Sequence, residues 1–331
     1  MNASPIRIFD TLRGMQRAEA LKAAIELSLF TAIARGFNTA ATLADACHAS
    51  ERGIRILADY LTIDGFLAKA DGVYSLAPDA EVFLVEGSPA YLGKAVPFLM
   101  HESQRKAMES LTDAVRKGGT ALEDQGSVSD SHPAWVDFAK GMMPMMMPPA
   151  HKIADLIAAD SNKVLDIAAG HGLFGIVIAQ RNPAAHIHAL DWPNVLDVAH
   201  EHATQFGVAD RYHKLPGDAF AIDYGTGYDA VLFTNFLHHF DHAANVRLLS
   251  KAHDALKPGG KAVILEFVPN DDRVTPPESA GFALTMLAAT PGGDAYTFKE
   301  LDSMCREAGF AAATAHPAPP SPETIVIATK P

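Results

Sequence analysis

The segment Val164-Leu165-Asp166-Ile167-Ala168-Ala169-Gly170-His171-Gly172-Leu173-Phe174-Gly175, with Asp191 nineteen residues beyond Gly172, constrains the fold of this chain more than any other stretch. Residues 164–167 form a short apolar run of strand length, the glycines let backbone approach a ligand closely, and residues 174–179 resume with helical character. Asp191 closes the next apolar run, Ile187-His188-Ala189-Leu190, where its carboxylate can accept both hydroxyl protons of a ribose. Strand, glycine turn, helix, strand and acid in that order describe a nucleotide-cofactor pocket. They leave open which nucleoside it takes.

The same alternation continues down the chain. Strand-like runs at 187–190, 211–215, 230–235 and 262–267 alternate with helical patterns at 174–180, 195–206 and 244–256. Apolar strands separated by helices predict an α/β, Rossmann-like domain with a mostly parallel sheet covered on both faces. Residues 310–315 and 324–329, joined by a Pro/Ala/Ser-rich loop, predict an antiparallel pair closing that sheet.

The N-terminal third reads differently. Apolar side chains at Ile8, Leu12, Met15, Ala18, Leu21, Ile25 and Leu29 lay one stripe along a helix over residues 6–35, and such a stripe needs a partner surface. Helical patterns follow at 40–46, 51–61 and 78–85, and residues 67–76 predict a hairpin turning at Asp71-Gly72. Helix, helix, hairpin is a winged-helix arrangement, which raises a DNA-binding regulator as one reading. Between Thr31 and Glu86, however, four basic residues face eight acidic ones, and the whole chain carries a formal charge of −12. Phosphates would be repelled, so protein contact is the favoured role and no nucleic-acid partner is expected.

Between these regions, residues 87–131 read as helices joined by loops at Gly118-Gly119 and at the polar run 124–131. Residues 135–147 then hold five of the eleven methionines, which suit either a core or an adaptable apolar pocket wall. The organisation expected is an N-terminal domain over residues 1–105, a helical connector over 106–150 and a cofactor-binding domain over 151–331. With 48% hydrophobic and 20% charged residues, the composition is that of a globular protein. No run approaches the roughly 18 apolar residues of a membrane span, and the N-terminus lacks a signal-like basic and apolar pair. A cytoplasmic, non-membrane protein is expected. Cys47 and Cys305 stand far apart without metal or redox spacing, and both are expected reduced.

Gly170-His171-Gly172-Leu173-Phe174-Gly175 also matches the dinucleotide pattern, so an NAD(P)-dependent oxidoreductase is an alternative. Three neighbours favour S-adenosylmethionine. Asp166 lies inside the strand before the glycines, where its carboxylate can meet an ammonium but would repel a pyrophosphate. In Leu215-Pro216-Gly217-Asp218-Ala219-Phe220, Asp218 and Phe220 can supply the acceptor and the flat wall that an adenine needs. The run 228–240 leads into a helix ending at Leu256-Lys257-Pro258-Gly259-Gly260-Lys261, a tight turn feeding the next strand.

With Phe138-x-x-Gly141-Met142, Asp191-Trp192-Pro193, Thr290-Pro291-Gly292-Gly293 and Ala308-Gly309-Phe310 added, nearly the whole chain resembles the class I S-adenosylmethionine-dependent methyltransferases. Within them it is most similar to the caffeate-type and acetylserotonin-type small-molecule O-methyltransferases. The resemblance implies a seven-stranded sheet with an antiparallel C-terminal strand, a winged-helix N-terminal dimerisation domain and a homodimer. It implies methyl transfer to a small apolar or aromatic metabolite. Cofactor contacts are implied for Asp166, Gly170, Gly172, Asp191, Trp192, Asp218, Phe220 and Asn235, and an acceptor pocket including Phe138, Met142 and Met286.

The family's base aligns with His238, and its acidic partner with Glu266, which could orient the ring and stabilise its imidazolium. An imidazole whose ordinary pKa is about 6.5 can take an acceptor's proton. Three departures stand out: His239 follows the base where an acid is usual, Phe240 replaces a tryptophan, and Ala295 falls where relatives often carry a second glutamate. With fewer carboxylates at the base, thiol, amine, carboxylate and carbon acceptors become admissible beside oxygen. His238, His239 and His242 invite a metal reading, but adjacent helical side chains diverge by about 100° and no metal is expected.

Overall fold

The computed structural model describes residues 3–123 and 134–331, and the chain divides into two compact units, Met1–Val96 and Pro97–Pro331. The polar run 124–131 lies outside the described residues. The first unit contains α1 (Ile6–Leu12), α2 (Gly14–Glu26), α3 (Leu29–Ala34), α4 (Ala40–Ala46), α5 (Glu51–Ile63), a hairpin of β1 (Leu67–Ala70) and β2 (Val73–Leu76), and α6 (Pro78–Phe83). The single helix expected over 6–35 is thus divided. It breaks at Arg13 and again at Ser28, which takes a left-handed φ of 51° while its hydroxyl reaches Glu86 at 3.0 Å.

Local signals set the remaining boundaries. Thr39 and Thr42 cap α4 reciprocally, each hydroxyl accepting the other's backbone N–H, and the Ser50 hydroxyl accepts the Gly53 N–H at the start of α5. Asp71 (φ 49°) and Gly72 (φ 79°) supply the two left-handed positions a tight hairpin turn demands. Leu29, Phe30, Leu43, Ile54, Leu61 and Tyr74 form the core of this unit. The front of the apolar stripe is outside it: Ile8 is 63%, Leu12 71% and Met15 76% exposed in the single chain.

In the second unit, short helices α7 (Val96–Leu99), α8 (Glu102–Glu109) and α9 (Leu111–Lys117) precede α10 (Ala134–Gly141) and α11 (Met143–Ile157). The sheet and its helices then alternate as β3 (Lys163–Ile167), α12 (Leu173–Arg181), β4 (His186–Asp191), α13 (Pro193–Gln205), β5 (Tyr212–Pro216), β6 (Tyr228–Thr234), α14 (His242–Ala255) and β7 (Leu256–Glu266). The chain closes with α15 (Pro277–Ala289), α16 (Phe298–Glu307), β8 (Thr314–Pro317) and β9 (Thr324–Thr329). Two expected boundaries move. Strand β7 takes in the 256–261 turn through a register shift opposite Tyr228 and Ala230. Strand β8 begins at Thr314, because the Ala313 N–H is held by Asp302 instead of a strand partner.

The seven strands lie in the order β5-β4-β3-β6-β7-β9-β8, and only β9 runs against its neighbours. From β3 the chain proceeds outward through β4 and β5, then returns to lay β6 on the other side of β3. That reversal opens a crevice outside the carboxyl ends of β3 and β6, the place where doubly wound sheets bind ligands. Helix α12 is buried along Leu173 to Ala179 because it fills the space between the sheet and α11. Leu165 and Phe233, on the central strands, belong to the core cluster on the opposite face.

Leu165 is fully buried on β3. Leu165→Ala is expected to lower unfolding free energy by about 2–5 kcal/mol, read from the urea midpoint at unchanged slope; a loss below about 1 kcal/mol would contradict the packing described.

Candidate active site

The carboxyl ends of the central strands gather the polar groups. After β3 the backbone makes left-handed turns at Ala168 (φ 54°), Gly170 (φ 56°) and Gly172 (φ 76°). A side chain at Gly172 would stand 2.6 Å from the Tyr212 hydroxyl, and one at Gly170 would stand 2.9 Å from the Phe138 ring. Both conformation and space therefore require glycine at these two positions. Asp191, ending β4, fastens the loop, its Oδ2 accepting the Gly170 N–H at 2.9 Å and its Oδ1 the Trp192 N–H at 2.7 Å.

Several buried polar atoms around this loop have no partner among the described residues: Asp166 Oδ1, His171 Nε2, Tyr212 Oη and Asn235 Oδ1. Asp166 Oδ2 accepts only the Gly175 N–H, at 3.3 Å, and burial pushes the Asp166 carboxyl up to about 8. Burial likewise pushes Asp191 up to about 6 and His171 down to about 3. The Leu173 N–H donates to His171 Nδ1 at 3.1 Å, so the ring proton sits on Nε2 and that N–H is the unmatched donor. A raised carboxyl pKa means the folded state holds protons that the unfolded chain releases. Asp166 and Asp191 thus favour folding at low pH, and that contribution is lost as pH rises through about 6 and about 8.

Beyond the loop, Asp218 Oδ1 accepts the Phe220 N–H at 2.9 Å, and the Phe220 ring meets Phe240 edge-on at 5.0 Å. Trp192, at the start of α13, joins an apolar cluster with Ala139, Val195 and Val198. Asn235, with φ 54°, ends β6 and directs Nδ2 to the Met146 sulfur at 3.4 Å.

His238 stands on a turn of 3₁₀ helix over Leu237–His239, between β6 and α14. Its Nδ1 lies 2.5 Å from Glu266 Oε2, and both side chains are buried. The other Glu266 oxygen accepts the backbone N–H groups of Phe236, Leu237 and His238 at 3.0, 2.8 and 3.3 Å. With Nδ1 donating to Glu266, the neutral His238 ring keeps its Nε2 lone pair free of the proton. The Phe282 ring of α15 meets His238 edge-on at 4.8 Å, and Phe267 stacks on Phe282 at 4.2 Å.

The structure brings Asp166, Gly170, Gly172 and Asp191 together at one loop, and His238 with Glu266 at the neighbouring strand ends. Phe138 is stacked on the His171 ring at 5.6 Å, so it covers the glycine loop. Met142 is buried at the α10–α11 junction, and Met286 is buried one turn beyond Phe282 on α15. Of the three departures, His239 is buried between His238 and Trp135, and burial holds its ring well below the ordinary imidazole range. Ala295 is buried after Asp294, whose N–H donates to the His238 carbonyl at 3.0 Å. His242 pairs instead with Glu307 at 3.0 Å, and among the described residues no cluster of three or more His, Cys, Asp or Glu side chains could hold a metal. Among those residues, no helix is long and apolar enough to cross a membrane.

Sequence reasoning assigned no site role to Tyr212 or His171. His171 could have been found as the one polar residue between the two glycines. Tyr212 carries no local signal, since only the folded sheet brings it to the loop.

The comparisons agree with this geometry. The model of the O-methyltransferase domain matches residues 133–311, and that of the O-methyltransferase dimerisation domain matches residues 9–86. The chain is 28% identical over 314 residues to the 3-hydroxy-5-methyl-1-naphthoate 3-O-methyltransferase of Streptomyces sahachiroi, covering 92% of this chain and 89% of that one. A solved structure of a candidate O-methyltransferase from Nostoc punctiforme shares 48% identity and a TM-score of 0.96 over 99% of this chain and 100% of the other. Human N-acetylserotonin methyltransferase, solved with S-adenosylmethionine, shares the fold at a TM-score of 0.86 and 21% identity, over 99% and 98% of the two chains. Neither the oxidoreductase nor the regulator reading gains support from these relatives. The domain model covers more than half of the sequence, and the chain belongs to the O-methyltransferase family.

Proposed function

We propose that this protein transfers the methyl group of S-adenosylmethionine to an oxygen of a small, apolar or aromatic metabolite, with His238 as general base. The observation carrying this reading is the His238–Glu266 pair at 2.5 Å beside a glycine loop that keeps buried, unmatched polar atoms. The residues present fit the cofactor. Asp166 Oδ1 can receive an ammonium, the His171 Nε2–H can donate to a carboxylate, and Asp191 and Asp218 can accept hydroxyl and amino protons. Trp192 and Phe220 supply apolar surface for the base, and Asn235 stands at the sulfur end of the crevice. When bound, S-adenosylmethionine supplies a methyl group on a strongly electrophilic sulfonium.

The chain's own work is then alignment and proton removal. Phe282, Met286, Met142 and Phe138 form an apolar wall that excludes water and holds the acceptor against His238. His238 Nε2 takes the hydroxyl proton. Glu266 keeps Nδ1 protonated and stabilises the imidazolium, while three backbone N–H groups hold that carboxylate in place.

The N-terminal unit would join two copies in a homodimer. The dimerisation-domain match over residues 9–86 and the exposed stripe of Ile8, Leu12 and Met15 support this reading.

Three measurements test the proposal. S-adenosylhomocysteine should bind in calorimetry, and at pH 7 the heat should vary with the buffer's ionisation enthalpy, because Asp166, pushed up to about 8, loses its proton on meeting the ligand's ammonium. Asp166→Asn should weaken binding and remove the buffer dependence; no detectable wild-type binding at millimolar ligand would sink the cofactor assignment. His238→Ala should lose about 10²- to 10⁴-fold in kcat with S-adenosylhomocysteine affinity nearly unchanged. Glu266→Gln should also lose activity, since a glutamine amide donating to Nδ1 forces the proton onto Nε2. Full activity in either variant removes the pair from the mechanism. Finally, Leu12→Glu combined with Met15→Glu should shift the light-scattering mass from dimer to monomer, and an unchanged mass would place the interface elsewhere.

A further inference from the structure

Lys251, on α14, is a half-buried cation that the proposed mechanism does not use. Its Nζ donates to three main-chain carbonyls, those of Ala219 at 2.8 Å, Phe220 at 2.9 Å and Ile222 at 2.9 Å. All three belong to the turn that leaves β5 directly after Asp218. The Tyr224 ring faces the same ammonium, its centroid 4.3 Å from Nζ, and the Tyr224 hydroxyl donates to the Ala219 carbonyl at 2.7 Å.

The donors of this turn are satisfied from Asp218. Its carbonyl accepts the N–H groups of Ala221 and Ile222 at 3.0 and 2.9 Å, and its carboxylate accepts that of Phe220 at 2.9 Å. The carbonyls of Ala219, Phe220 and Ile222 converge instead on one nitrogen. A lysine ammonium offers three hydrogens from a single centre, whereas the planar fork of an arginine spreads its donors apart. Carbonyl dipoles and the ring face also replace water that the ammonium loses on partial burial. Burial draws the Lys251 ammonium below its ordinary range, and the Asp218 and Asp223 carboxylates act the other way. One helical turn earlier on α14, the Arg247 guanidinium stands 5.9 Å from the centroid of the Phe220 ring. The helix thus grips both the backbone of the turn and its aromatic side chain.

We propose that Lys251 is a positioning residue for the nucleobase end of the cofactor site, its carbonyl cage fixing the 218–224 turn so that the Asp218 carboxylate and the Phe220 ring are in place before a ligand arrives. In this role it touches neither cofactor nor acceptor. A turn ordered in advance removes an ordering cost from binding, so the consequence appears in cofactor affinity.

The effect on affinity rests on the methyltransferase reading; the anchoring of the turn does not. In hydrogen exchange of the unliganded protein, Lys251→Met should lose protection at the Phe220, Ala221 and Ile222 amides while β3 and β6 keep theirs. In calorimetry with S-adenosylhomocysteine, Lys251→Met should weaken binding by about tenfold in the wild-type background and by less than about threefold in Phe220→Ala, because removing the ring that Lys251 positions leaves less to lose. Unchanged exchange at the turn, loss of protection across the whole sheet, or an equal loss of affinity in both backgrounds overturns the proposal. If Lys251→Met does not fold, Lys251→Gln is read against the same outcomes. If wild type binds no S-adenosylhomocysteine, the proposed function fails and hydrogen exchange still decides whether Lys251 holds the turn.

Discussion

One carboxylate ties the site to the sheet. Glu266 sits at the last residue of β7 and accepts four N–H groups, three from the backbone leaving β6 and one from the His238 ring. Each of those backbone groups belongs to a 3₁₀ turn too short to satisfy its own donors. The carboxylate therefore solves a folding problem and a chemical one together. It terminates the backbone exit from the strand, and it fixes the tautomer of the imidazole above it. Removing its charge would unsettle both, which is why the His238 ring is placed by the core of the protein and not by a surface loop.

The glycine loop on the other side of the crevice is organised on the opposite electrostatic logic. Its acids, Asp166 and Asp191, are desolvated and held toward their neutral forms until a ligand supplies compensating charge or donors. Among the described residues, the His171 and Tyr212 donors have no acceptor. A pocket built from unmatched groups pays a standing cost in stability that ligand binding offsets, so the unliganded protein is expected to gain thermal stability on saturation.

Much of this could be read before any coordinates. The strand, the glycine spacing and Asp191 located the crevice, because backbone conformation and close approach leave few alternatives to glycine there. His238 and Glu266 were legible from the resemblance, and the short local runs around them carried the register. Asp71-Gly72 announced its hairpin through turn chemistry alone. What escaped was non-local. The break of the first helix at Ser28 depends on Glu86, fifty-eight residues away. Tyr212 reaches the loop only because the folded sheet sets β5 beside β4. Its position does not differ in sequence from an ordinary strand-edge residue.

The reversal of strand order has a consequence for how such a protein can diversify. The glycine loop, Asp191 and Asp218 follow β3, β4 and β5, while His238 and Glu266 stand at the ends of β6 and β7. Phe282, which meets His238, and Met286 belong to neither set, being carried on α15. Three separately encoded stretches of chain thus meet at one crevice. On the function proposed above, exchange of side chains on α15 would retune which molecule is accepted while the strand ends that hold the glycine loop and the His238–Glu266 pair are inherited intact.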